Sequence, residues 1–209
     1  MIAWTSSEIP LKRTLNRSPF VCSALVLITA HRRPRTRANP VSSLAALATL
    51  EHPPVTSLFL GYRAEQVAHP LDGFGMLIPA AELRTTLGVI FSSTLFPGRA
   101  PEGHVALTVM LGGTRQPEFA RLPTEKLHAA VERDLRELLG VNGPPVFQQA
   151  THWPRAIPQY NLGHERFLEA MTACERAYPH LFIGGQARDG ISLPACLAAG
   201  EKLAQRAIG

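Results

Sequence analysis

Residues 181–196 read L-F-I-G-G-Q-A-R-D-G-I-S-L-P-A-C, and this stretch decides the fold. The run L-F-I-G is short and continuously apolar, as a buried strand is. A turn bearing Gly185 and Gly190 follows, and Pro194 then sits where the first turn of a helix tolerates a residue without an N–H. The final helix is expected to continue to Ile208. Such a helix start presents unpaired backbone N–H groups and a partial positive charge to whatever lies beyond the turn. An ordinary strand-turn-helix uses the same glycines for tight packing, so the surroundings must decide between the two.

Upstream, residues 153–163 read W-P-R-A-I-P-Q-Y-N-L-G. Pro154 and Pro158 each fix φ and remove a donor, which stiffens the segment. An aromatic ring held on such a segment suits packing against a planar group. His164 follows, and residues 164–178 place Phe167, Leu168, Met171, Cys174 and Tyr178 on one helical face.

Further back, residues 125–139 form a second helix, with Leu127, Val131, Leu135 and Leu138 at helical spacing and Gly140 at its C-terminal turn. Residues 55–62, 73–79, 86–95 and 104–111 read as four successive strands with no long helix between them. That succession implies an antiparallel or mixed sheet. Residues 146–151 add another strand, and residues 41–50 suggest a short helix closed by His52, Pro53 and Pro54. The apolar run at 23–30 fits a buried strand of parallel type. The fold class is α+β.

Length and composition allow one substantial core: 209 residues, 45% hydrophobic. Mean hydropathy is +0.03, and no apolar run approaches the ~18 residues of a spanning helix. The net charge of +5 is concentrated at one end. Residues 1–40 hold seven basic side chains against Glu8 alone, and the remainder is slightly acidic, so a nucleic-acid partner is not expected. Lys12, Arg13 and Arg17 ahead of residues 20–30 imitate a secretory signal, but 28–30 makes a poor cleavage site. Residues 1–17 match nothing recognisable.

Cys22, Cys174 and Cys196 form no framework and no C-x-x-C pair, which suits a reducing compartment. His69 and His164 have no partner at metal-ligand spacing, so no metal is expected, and both read as structural. Cys196 reads as a packing residue. Ser92, Ser93 and Thr94 lack the context of a hydrolase nucleophile. Asp72, Glu102 and Asp189 stand in turns, where they support local backbone.

Four blocks in order carry a resemblance. Residues 61–79 (G-Y-R-A-E-Q-V-A-H-P-L-D-G-F-G-M-L-I-P), 87–103 (L-G-V-I-F-S-S-T-L-F-P-G-R-A-P-E-G), 153–163 and 181–196 together resemble the closing part of the protoporphyrinogen oxidase family, within the flavin amine-oxidase superfamily. No G-x-G-x-x-G turn opens a dinucleotide-binding unit anywhere in the chain. The resemblance therefore covers only a C-terminal portion: a substrate-domain sheet plus the returning strand and helix of an incomplete, Rossmann-like FAD-binding domain.

The division it implies is a basic segment at 1–17, a partial FAD- and substrate-binding sheet region at 18–150 containing helix 125–139, and an FAD-contacting strand-turn-helix region at 151–209. FAD is the implied cofactor, contacted by Trp153 and by the backbone of Ile191, Ser192 and Leu193. A donor-rich helix start favours the negative charge of a reduced flavin. The implied substrate is a porphyrinogen, with residues 87–95 and 104–111 as a wall and Arg63, Arg99 or Arg115 for a propionate. Oxygen is the implied electron acceptor. A homodimer of the full-length enzyme, a cytoplasmic location and a peripheral contact with the membrane are implied as well. No catalytic residue can be named. Oxidation of coproporphyrinogen, another flavin amine-oxidase-like activity and a non-catalytic remnant remain as alternatives.

Overall fold

The computed structural model describes residues 26–29, 44–178 and 181–208. Along them run β1 (Val26–Thr29), a 3-10 turn (Ala45–Thr49), β2 (Val55–Arg63), β3 (Gly75–Leu77), β4 (Thr86–Ile90) and α1 (Ser92–Leu95). Then come β5 (His104–Gly112), α2 (Thr124–Leu139), β6 (Phe147–Trp153), α3 (Glu165–Ala177), β7 (Leu181–Gly184), α4 (Gln186–Asp189) and α5 (Leu193–Ile208). Residues 1–17 and Cys22 lie outside the described residues.

Strand β2 explains the larger sheet. Its side chains alternate in burial along its length, the period of two that a pleated strand imposes. Thr56, Leu58, Leu60 and Tyr62 are buried on one face, while Val55, Ser57 and Phe59 are half-buried on the other. On one side β2 pairs with β5, from Val55 opposite Gly112 to Arg63 opposite His104. On the other it pairs with β6, from Val55 opposite Trp153 to Gly61 opposite Phe147. With β4 and β3 beyond β5 the order is β3-β4-β5-β2-β6, antiparallel throughout.

One face of this sheet is closed by α2. Leu127, Val131, Leu135 and Leu139 are buried against Leu58, Leu60, Tyr62, Leu107, Val109 and Leu111. Truncating any of these leucines to alanine is expected to cost about 2–5 kcal/mol, as buried leucines do. Gly140 ends the helix in the left-handed region, at φ 60°, where a side chain would be strained. Asp134, buried on the same helix, accepts a hydrogen bond from Thr86 N–H at 3.0 Å and pairs with Arg84 at 3.4 Å, which ties α2 to the start of β4.

The second cluster lies at the other end of the chain. Phe167, Met171 and Cys174 on α3 pack with Tyr178, Leu181, Ile183 and Leu50. Burial pushes the Cys174 thiol up from its ordinary value, with Glu175 adding to the effect, so this cysteine packs as a neutral small hydrophobe.

Three expectations need correction. The run at 23–30 was expected to pair in parallel, yet β1 meets β7 antiparallel, with Val26 opposite Gly184. A continuous apolar run reports burial on both faces and carries no information on strand direction. The strand expected over 86–95 stops at Ile90, and α1 replaces its second half. There Ser93 Oγ accepts from Ala106 N–H at 3.0 Å, and Thr94 Oγ1 donates to Leu71 O at 2.8 Å. These side-chain bonds to backbone compete with a ladder. The turn after β7 contains the short helix α4, which glycine content alone did not reveal.

Candidate functional site

The uncovered face of the sheet and the segment leaving β6 enclose the site. Trp153 is the last residue of β6, and its partner Val55 is the first of β2. Residues 154–161 then run back along residues 51–53: Ala156 N–H donates to Pro53 O at 3.0 Å and Gln159 N–H to Glu51 O at 3.0 Å. Asn161 Nδ2 donates to the Glu51 carboxylate at 3.0 Å. Side-chain bonds join this proline-stiffened strap to the 185–190 turn on its other side. Tyr160 OH donates to Gln186 O, and His164 Nε2 lies 2.8 Å from Ala187 O.

Sheet, strap and turn line a cavity of about 540 Å³, with Val55, Ser57, Met110, Trp153, Ile157 and Gln186 among its walls. Arg155 supplies a cation at its edge. A second cavity of about 290 Å³ adjoins it along Leu87 and Met110 and is walled by Phe74, Met76, Leu77 and Ile90. Both are apolar, so a flat, largely hydrophobic ligand suits them.

The turn is held from within. Asp189 Oδ2 accepts from Gly185 N–H at 2.7 Å, the local role expected for a turn carboxylate. Arg188 donates to Ile183 O at 2.9 Å and pairs with Glu175 at 3.1 Å, and Arg206 on α5 pairs with Glu175 at 3.1 Å. Glu175 also accepts from Ile183 N–H at 2.8 Å. Burial alone would raise the Glu175 carboxyl. The Ile183 N–H and the two arginines outweigh it and hold the group below the usual carboxylate range. Ser192 caps α5: its Oγ accepts from Ala195 N–H at 3.2 Å and its carbonyl from Cys196 N–H at 3.0 Å.

Of the four residues singled out in the sequence, Trp153 lines the larger cavity together with Gln186 of the turn. Ile191, Ser192 and Leu193 stand exposed at the start of α5 and are not among the lining residues. Sequence reasoning did not single out Arg155, although it lies inside the quoted W-P-R-A-I-P run. Nor did it single out Val55, Ser57 or Met110. Their signal is weak, because only the strand register places them beside Trp153. Among the arginines considered for a propionate, Arg115 is engaged with Ile78 O at 3.0 Å through both terminal nitrogens. Arg99 lies over Phe96 at 5.5 Å, and Arg63 is exposed at the end of β2. Among the described residues no group of His, Cys, Asp and Glu could hold a metal ion, and no helix is long and apolar enough to cross a membrane.

The model of the family described as flavin containing amine oxidoreductase matches residues 9–208. Protoporphyrinogen oxidase 2, chloroplastic/mitochondrial, of Arabidopsis thaliana is 36% identical over 165 residues, 78% of this chain and 32% of that protein. The mitochondrial protoporphyrinogen oxidase of Nicotiana tabacum is 34% identical over 167 residues, 78% of this chain and 33% of that protein. The chain thus spans about a third of the length of the curated relatives it matches. Those names place the relatives in chloroplasts and mitochondria and lend nothing to the cytoplasmic expectation. The crystal structure of an Exiguobacterium protein assigned as a protoporphyrinogen oxidase superposes with a TM-score of 0.66 at 21% identity, covering 78% of this chain and 36% of that one. It shares the mixed helix and antiparallel-sheet fold.

Proposed function

Because this chain belongs to the flavin containing amine oxidoreductase family, we propose that it is the C-terminal part of an FAD-dependent oxidase of protoporphyrinogen. In this reading the unit that would hold the cofactor's phosphates is not among these 209 residues. The observation that carries the reading is the larger apolar cavity, about 540 Å³, walled by Trp153, Ile157 and Gln186. Its size and apolar walls suit the isoalloxazine ring. A bound flavin supplies the capacity to accept a hydride, that is, two electrons and a proton.

The remaining work falls to this chain's own side chains and backbone. Trp153 and Ile157 offer flat apolar surface and exclude water. The N–H groups of Ile191, Ser192 and Leu193 at the start of α5 supply oriented donors for an anionic ring edge, and their partial positive charge favours the reduced state. The neighbouring cavity, walled by Phe74, Leu77, Leu87 and Ile90, provides the apolar wall that a broad macrocycle requires. Arg155, Arg63 and Arg99 are the cations available for its propionates, since Arg115 is committed to Ile78 O. Oxygen is the acceptor that closes the cycle. Homodimerisation and peripheral membrane contact belong to the full-length enzyme in this reading.

Coproporphyrinogen, which carries two further propionates, is the nearest alternative substrate. The span of only a third of the relatives' length favours a second reading, in which the isolated chain does not turn over. Both are tested by complementation of a bacterium deprived of its own porphyrinogen oxidase. Joined to the upstream two-thirds of the Arabidopsis relative, this chain should restore growth without added haem. Alone it should not. Failure of the joined protein, if soluble and flavin-loaded, would overturn the substrate assignment.

A further inference from the structure

Tyr160 of the strap and His164 at the start of α3 take up two successive carbonyls of the turn: Tyr160 OH donates to Gln186 O, and His164 Nε2 meets Ala187 O at 2.8 Å. The two rings also stack, with centroids 4.3 Å apart and planes inclined by 34°, and His164 rests edge-on against Phe167 at 5.4 Å. A carbonyl only accepts, so His164 carries its proton on Nε2. Its buried Nδ1 has no partner.

These bonds do not merely add to a core. The strap contributes Arg155, Ala156 and Ile157 to the larger cavity, directly after Trp153 at the end of β6, and the turn contributes Gln186. The pair therefore spans the two walls that the cavity separates. On the strap's far side the bonds to residues 51–53 fix its backbone to the segment that leads into β2. The Tyr160 and His164 contacts tie it to the turn.

We propose that Tyr160 and His164 are positioning residues that gauge the width of this cavity, holding the strap that follows Trp153 at the right distance from the turn for a planar ring. The inference rests on the flavin reading for its ligand but not for its geometry. Losing one such bond leaves a carbonyl unpaired and shifts an equilibrium by about 3- to 10-fold. His164→Phe keeps the stacking and removes the donor, whereas His164→Gln replaces the donor at nearly the same place. Tyr160→Phe removes only the hydroxyl.

The test uses the whole chain with Trp4→Phe, which leaves Trp153 as the single tryptophan of the two present. Lumiflavin, an isoalloxazine without phosphates, is titrated while Trp153 fluorescence is followed, and acrylamide quenching is measured without ligand. Tyr160→Phe and His164→Phe should weaken lumiflavin binding by about 3- to 10-fold and raise acrylamide access to Trp153, with His164→Gln returning both close to the parent. If the parent fails to bind lumiflavin, the flavin reading falls, and acrylamide access alone then decides the positioning claim. Unchanged access and unchanged affinity in both loss variants, even with lowered thermal stability, would overturn the proposal.

Discussion

Trp153 stands opposite Val55 on the final rung joining β6 to β2, and both side chains wall the larger cavity. The sheet therefore presents the ring, while the strap begins just after it. In a full-length hybrid carrying this chain, Trp153→Ala should release flavin, because aromatic stacking adds about 0.5–1.5 kcal/mol beyond buried area. Trp153→Phe should retain most of it. Flavin content after gel filtration reads this out, and an Ala variant as fully loaded as the parent would remove Trp153 from the site.

The 209-residue chain by itself should bind FAD weakly. Its walls meet the ring, whereas pyrophosphate and ribose contacts belong to a unit with the G-x-G-x-x-G turn. Calorimetry should give a Kd well above about 1 µM, equivalent to less than ~8 kcal/mol. A submicromolar value would show that the chain holds the whole cofactor unaided.

Glu175 links α3, the 185–190 turn and α5 through Arg188, Arg206 and Ile183 N–H. Glu175→Gln should lower stability by about 1–3 kcal/mol, because charge-assisted bonds to a largely buried group are lost. The sign of the pH dependence follows from a folded-state carboxyl held below its ordinary 4.5. The contribution is complete above that value and fades as pH falls from about 4.5 through the lowered folded value. Thermal unfolding of parent and variant should thus converge in acid. A gap of equal size at neutral pH and in strong acid would contradict it.

Two glycines give opposite outcomes. A Cβ at Gly184 would lie 2.5 Å from Leu203 Cδ1 and 2.8 Å from Asp189 Oδ2, the oxygen that holds Gly185 N–H. Gly184→Ala should cost about 1–3 kcal/mol by overpacking and loosen the turn. At Gly200, inside α5, nothing lies within 4 Å of a Cβ. Gly200→Ala should raise stability by up to ~1 kcal/mol through helix propensity. Melting curves of both variants check the pair, and a stable Gly184→Ala protein would show that the turn yields.

Much of this arrangement is legible in the sequence, for identifiable reasons. The spacing of Leu127, Val131 and Leu135 marked α2 because helical period and burial coincide, and Gly140 marked its end. The β-rich runs at 55–62 and 104–111 indicated strands, but not that Met110 and Val55 would flank Trp153, since register depends on pairings distant in sequence. The helix α1 was hidden because Ser93 bonds to the backbone of Ala106 in β5 and Thr94 to that of Leu71, a tertiary effect. Direction in β1 was beyond reach because its apolar run is symmetric with respect to strand polarity. Tyr160 and His164 drew attention as an aromatic and a structural histidine, while their shared hold on Gln186 and Ala187 needed coordinates.

Substrate choice by the flavin-loaded hybrid separates a porphyrinogen oxidase from an oxidase of amines. The most direct test is anaerobic mixing of the flavin-loaded hybrid with reduced porphyrinogen or with spermine, followed at the flavin's absorption band. Protoporphyrinogen or coproporphyrinogen should bleach the band, with porphyrin fluorescence rising in step, and spermine should not. Bleaching by spermine with porphyrinogens left untouched would contradict the porphyrinogen assignment.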